Sequence, residues 1–277
     1  IGGTSTLIGD PPNIMIGSAA GLSFNDFLTH TGPAALVILI VTIAILYFLY
    51  RKDLMVDDKY KEEILALDEK KTIKDKSLLI KSLIVMALIL IGFMTHQSLD
   101  LESSTVALTG AVILLLIGKQ DVEEIICGIE WPTIAFFTSL FVLVGGLEEV
   151  GIIHSLAIWL IDLTSGRPIM TMILLLWLAA IVSSFLDNIP FVATLIPLIL
   201  TMGTQGIDIR PLWWAVSLGA CLGGNGTLIG ASANVVLANI GERNGYKISF
   251  GKYFKVGFPL MILSIIISTV YLLFFFT

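Results

Sequence analysis

Long apolar runs alternate with short polar joints along this chain. Uninterrupted runs cover 33–50, 78–95, 104–118, 132–147 and 256–276, each near the ~20 residues that an α-helix needs to cross a bilayer. Three more apolar stretches are broken from inside. Residues 3–21 contain Gly9-Asp10-Pro11-Pro12-Asn13, residues 171–203 contain Asp187-Asn188-Ile189-Pro190 and then Pro197, and residues 212–243 contain GGNGTLIGASAN. Residues 148–164 set apolar and polar side chains at helical spacing, which suits a helix lying in the membrane interface. The pattern predicts an all-α, polytopic transmembrane protein.

Composition sharpens that reading. Of 277 residues, 56% are hydrophobic and 14% charged, whereas soluble domains carry about a quarter charged residues. The net charge of −6 is confined to a few loops, and no feature points to nucleic acid. Cys127 and Cys221 stand far apart without metal-ligand spacing, so neither a disulfide framework nor a resident metal or cofactor is expected. The chain has no HExxH, Ser/His or Cys/His constellation, so an enzyme is not expected. It opens inside a motif, without a starting methionine, and is expected to be the later part of a longer protein.

Lysine and arginine indicate orientation. Residues 51–76 hold eight of the 16 basic residues and should be cytoplasmic, as should 243–255 with Arg243, Lys247, Lys252 and Lys255. Residues 96–103 have no Lys or Arg and should lie outside. These placements agree only if 171–203 is a re-entrant hairpin that enters and leaves on the outer side. Three parts result: 1–50 ends a first repeat, 51–76 is a charged loop, and 77–277 is a second repeat. The second repeat holds scaffold helices, the hairpin 171–203, the broken helix 212–243 and a last span, 256–276.

The repeat is written in the residues. At a fixed offset of 221 positions, Gly2, Gly3, Thr6, Leu7, Ile8, Gly9 and Asn13 match Gly223, Gly224, Thr227, Leu228, Ile229, Gly230 and Asn234. A Ser-Phe pair follows each copy (Ser23-Phe24, Ser249-Phe250), then a Gly and a Pro expected to open a span (Gly32-Pro33; Gly257 and Pro259). The orientation rules send the two copies across the membrane in opposite directions. Inverted repeats with matching helix breaks mark secondary transporters.

Lipid cannot satisfy free backbone groups, so irregular backbone at membrane depth must be buried in protein or line a wet cavity. The two breaks and the hairpin tip are therefore expected to share a cavity. Asp10 can N-cap a restarted helix with Pro11 in its first position, Ser232 can do so in the second copy, and Asp187 or Asn188 can cap a hairpin arm. Restarted helix ends favour anions. The preceding carbonyls suit Na⁺ or a proton donor, with Na⁺ placed near Gly9, Asn188 and Gly230. Asp10 and Asp187 are candidate coupling residues, caps, or both, because an ionisable group at this depth is costly. Thr6, Pro12, Asn13, Asn188, Thr194, Thr227, Ser232, Ala233 and Asn234 are candidate substrate contacts; for Thr6, Asn13, Thr194, Thr227 and Asn234 helix–helix glue is the usual alternative, and the matched place of Asn13 and Asn234 right after each break favours the site. Cys221 reads as a small core residue, His30, His96 and His154 as boundary residues, and Gly145-Gly146 as a close helix contact.

Three motifs, GGTSTLIGDPPNIMI, SSFLDNIPFVATLIPLI and GACLGGNGTLIGASANVV, together resemble the arsenite permease/sodium–proton antiporter branch of the ion transporter superfamily. The likeness is nearest to the melanosomal P protein-like permeases and their citrate transporter-like domain. It implies two inverted halves, each with a re-entrant hairpin and a broken helix, working as a homodimer with an elevator-type movement. It assigns Asp187, Asn188, Thr194, Thr227 and Ser232 to Asn234 to one half-site, and Thr6 with Asp10 to Asn13 to the other. The Asp-Pro-Pro-Asn break departs from the arsenite pumps. The expected function is secondary active transport of a small inorganic or organic anion, or arsenite, coupled to H⁺ or Na⁺ across the cell (inner) membrane. A Na⁺/H⁺ antiporter and a channel-like anion pore are the alternatives.

Overall fold

The computed structural model describes residues 1–52, 54, 62, 65, 73 and 75–276. Most of the expected cytoplasmic loop, 51–76, lies outside the described residues. Among the described residues the regular structure is helical throughout. Contacts divide the chain into two compact units, Ile1–Thr42 with Pro132–Thr277, and Ile43–Trp131.

The first unit opens with a 3-10 turn, Gly3–Ser5, then α1 (Pro11–Ala20), α2 (Phe24–His30) and the start of α3 (Gly32–Tyr50). The second unit holds the rest of α3, then α4 (Lys76–Thr95), α5 (Ser103–Gly118) and α6 (Val122–Cys127). From α7 (Trp131–Glu149) the chain belongs to the first unit again, with α8 (Ile152–Leu163), α9 (Pro168–Phe185), α10 (Asn188–Thr204), α11 (Arg210–Gly223), α12 (Ser232–Arg243) and α13 (Phe250–Phe276).

Five described helices are long and apolar enough to cross a membrane: Gly32–Tyr50, Lys76–Leu99, Trp131–Glu149, Pro168–Phe185 and Phe250–Phe276. On α3, Leu36, Ile40, Ile43 and Phe48 all point outward, a surface suited to lipid rather than water. Several boundaries differ from expectation. The run 104–118 forms a helix of only 16 residues, about 24 Å long, short of a hydrocarbon core about 30 Å thick. Conversely, the first arm of the expected hairpin reaches membrane length. Pro197 does not interrupt the second arm but sits buried inside α10. Pro259 does not open the last span either: α13 starts at Phe250 and runs through Gly257 and Pro259. Residues 148–164 divide at Gly151, and α8 buries Ile153, Ala157 and Leu160 while packing against α10.

The two units are built differently. In the second, α4 and α5 pack side by side, with Gly92 facing Val106 and Gly118 facing Leu78, so the pair is antiparallel. In the first, α11 is the central rod. Every residue from Pro211 to Gly223 is buried, as befits a helix that is apolar all round. Its small residues let α9 approach closely. A Cβ on Gly219 would stand 2.6 Å from the Leu176 carbonyl oxygen, and one on Gly223 would stand 2.5 Å from that of Ala180. Ser183 Oγ donates to the Ala220 carbonyl at 2.7 Å, and Ser184 Oγ to that of Gly223 at 2.9 Å. Contacts that advance together along both chains make α9 and α11 parallel. Trp177 Nε1 donates to Thr269 Oγ1 and ties α9 to α13. His30 stacks on Trp214 of α11, and Tyr271 OH donates to the His30 carbonyl.

Gly145 and Gly146 were expected to form a close helix contact, yet a Cβ on either meets nothing within 4 Å. Gly223→Ala is therefore expected to destabilise the protein by about 1–3 kcal/mol through overpacking, whereas Gly145→Ala is expected to be neutral or slightly stabilising. Thermal unfolding of the two variants in detergent checks the contrast.

Candidate functional site

The two matched phrases fold into the same local structure. Asp10 and Ala231, 221 positions apart, precede α1 and α12 with φ −146°, ψ 135° and φ −147°, ψ 140°. The Gly9 N–H donates to the Thr6 carbonyl, and the Gly230 N–H to that of Thr227, both at 3.3 Å. Within each loop the glycines nearly touch. A Cβ on Gly3 would lie 2.5 Å from the Gly9 oxygen, and one on Gly224 would lie 2.9 Å from the Gly230 oxygen.

An asparagine staples each loop from within the restarted helix. Asn13 Nδ2 donates to the carbonyls of Thr6 (3.0 Å), Gly3 (3.3 Å) and Thr4 (3.4 Å). Asn234 Nδ2 donates to those of Gly224 (2.9 Å) and Thr227 (3.1 Å). These amides satisfy carbonyls that the broken helix leaves unpaired.

The first break meets the hairpin tip. Asn188, the first residue of α10 and nearly buried, points Nδ2 at both Asp10 carboxylate oxygens, at 3.4 and 3.5 Å. The carboxylate that precedes α1 thus meets the side-chain amide of the first residue of α10. On α11, Cys221 Sγ donates to Asn13 Oδ1 at 3.4 Å, beside Ser217 Oγ at 2.7 Å.

The capping expectations change. Asp10 occupies the N-cap position but makes no capping bond, because its side chain is turned to Asn188. Ser232 is not a cap: Ala231 takes that place, and Ser232 and Ala233 are exposed. Asp187 does cap α10, accepting from the Ile189 N–H at 3.1 Å, which leaves Asn188 for the contact with Asp10.

Other expected contacts are engaged within the protein. Thr227, fully buried, donates to the Ser184 carbonyl. Thr194 donates to Phe191 in its own helix. Thr6 Oγ1 lies over Gly9, and Pro12 is buried in the first turn of α1. Ser183, Ser184, Ser217 and Cys221 were not singled out as site residues. A Ser-Ser pair inside an apolar helix, and two small polar residues one turn apart at 217 and 221, were the available signals. A hollow of about 250 Å³ lies between α4 and α5, and one of about 550 Å³ surrounds Arg167 and Pro168; neither is lined by the breaks.

Residues 1–219, which carry Asp10, Asn13, Asn188 and Ser217, match the citrate transporter family. The chain belongs to that family. A 46 kDa membrane protein of Mycobacterium leprae is 41% identical over 277 residues, covering 98% of this chain and 64% of the relative. An uncharacterized transporter of Mycobacterium tuberculosis is 41% identical over 276 residues, with the same coverage. The P protein of Mus musculus is 33% identical over 354 residues, covering 99% of this chain and 42% of the P protein. The expected kinship with P protein-like permeases is met. The chain spans 64% of the length of the mycobacterial relatives it matches.

Two outcomes follow for stability. Asn13→Ala strips partners from buried carbonyls and is expected to cost about 2–3 kcal/mol, against about 1 kcal/mol for the half-exposed Asn234→Ala. Asp187→Ala is expected to cost about 1 kcal/mol by loss of a cap, and Asp187→Asn close to nothing. Thermal melts of the purified variants read both comparisons.

Proposed function

We propose that the protein is a secondary active transporter of the cell membrane that carries a small organic anion, of the carboxylate class, with H⁺ as the coupling ion. The observation that carries this reading is the Asp10 carboxylate, which precedes α1 and is met by the side-chain amide of Asn188 at the start of α10. The positive ends of the two helix dipoles and the Asn188 amide favour negative charge there. With no solute bound, the protein's own carboxylate fills that place. Protonation neutralises Asp10, removes the competing charge and lets a solute carboxylate take the position. The family match supports an anion as cargo, since a citrate transporter carries a tricarboxylate. The deep carboxylate of Asp10 favours H⁺ as the coupling ion.

A Na⁺/H⁺ antiporter is the second reading, supported by Asp10 as a deep acid beside an irregular loop. Proteoliposomes of the full-length protein separate the two. The expected result is saturable uptake of citrate or a related carboxylate, driven by a pH gradient, showing counterflow, and unaffected when Na⁺ is replaced by choline. Sodium-driven proton movement with no anion would favour the antiporter. Absence of flux for citrate, other carboxylates and arsenite under every gradient would reject both. Asp10→Asn is expected to flatten a pH dependence that in the unaltered protein approaches about tenfold per pH unit on its limiting side. Asp187→Asn is expected to leave it unchanged; initial rates across a pH series check the pair.

A further inference from the structure

Resting on the transport reading, we infer that the site admits a carboxylate in the form that bears a single negative charge. A second charge on the solute excludes it until a proton removes that charge. The sequence supplies the first ground. No Lys or Arg occurs in 1–50, 168–209 or 211–242. Those stretches form both breaks, both arms of the hairpin and all of α11 after its first residue. Within these elements the solute finds no fixed cation.

The nearest cations in the chain stand at the far ends of the helices. Arg167 precedes α9, whose 18 residues set about 27 Å between it and the hairpin tip. Arg210 opens α11, about 16 Å of helix away from Cys221 at the first break. Its guanidinium is held by Asp208 at 2.9 and 3.0 Å. Arg243, Lys247, Lys252 and Lys255 follow the second break, and all four are exposed. The side chain that meets the Asp10 carboxylate is instead a neutral amide, that of Asn188.

Charge at this place is the same in both states. In the empty protein Asp10 supplies one negative charge. Once Asp10 is protonated, a solute carboxylate supplies one in its stead. The helix dipole ends and the Asn188 amide balance one charge throughout. A second solute charge has no such partner at membrane depth, where an unpaired charge is costly. The other titratable groups around Asp10 are Asp187, the Cys221 thiol and the amino group of Ile1. Asp187 caps α10, and its charge adds to the repulsion. One proton therefore enters with each solute, and the cycle moves no net charge. Citrate itself enters only in its singly charged form.

Two measurements on the full-length protein test this. Succinate and its monoamide, succinamate, match in size and differ by one carboxylate. At about pH 8 both succinate carboxylates are ionised. Thermal stabilisation of the purified protein is expected to show succinamate binding about a hundredfold tighter there, with the gap closing as falling pH leaves succinate a monoanion. Asp10→Asn is expected to keep that preference while removing the pH dependence of succinamate binding. Equal or tighter binding of the succinate dianion would overturn the inference, as would binding of neither compound. The second measurement is accumulation in proteoliposomes under a fixed pH gradient. A membrane potential of about 100 mV is expected to leave succinamate accumulation unchanged. One net charge per cycle would shift it about fiftyfold and sink the inference. Preferential succinamate binding without any flux supports the single-charge site and rejects the transport reading. Proton-driven flux that favours the succinate dianion does the reverse.

Discussion

Carbonyl oxygens at membrane depth have no water to turn to, and in this protein two asparagine side chains supply what water cannot. A helix that breaks in lipid must find donors for its freed carbonyls within the protein. Asn13 and Asn234 each reach back from the restarted helix into the loop before it, to residues in register across the repeat. Their bonds require the loop to close tightly, which is why glycines stand at 3, 9, 224 and 230, where any side chain would collide with backbone. The breaks are thus built structures with a fixed shape.

That shape becomes a site only because α11 is buried on every side. Its small residues admit α9 along one face, where Ser183 and Ser184 bond to its carbonyls. Another face offers Ser217 and Cys221 to the first break. The hairpin tip follows directly from α9, so the contact that anchors α9 also delivers Asn188 to Asp10. Charge, helix ends and irregular backbone then coincide at one point. The second break shares the fold of the first but not its surroundings, and its following residues, Ser232 and Ala233, are exposed.

Polar residues near the breaks divide into two groups by what they touch. Asn13, Asn234, Thr227 and Asp187 hold the architecture together through bonds to backbone. Asp10 and Asn188 touch through their side chains, and a side-chain contact can be exchanged for a solute or a proton at small cost to the fold. The family match over 1–219 includes both.

The sequence by itself determined the helical membrane class, the places where helices break and the repeat that relates them. Hydropathy, Pro and Gly act locally, so even the matching backbone angles at Asp10 and Ala231 follow from a shared phrase. Only the tertiary structure decided which polar group each side chain meets. Asp10 finds Asn188 at a separation of 178 positions, and Asn13 finds Ser217 and Cys221 at 204 and 208. Local pattern showed Asp10 as a cap, because a cap is the nearest bond available to an aspartate before a helix. Packing brought a competing partner closer, and the side chain turned to it. Pro197 and Pro259 teach the same lesson in reverse: each looks like a helix stop in isolation, and each lies within a continuous helix that neighbours hold in place.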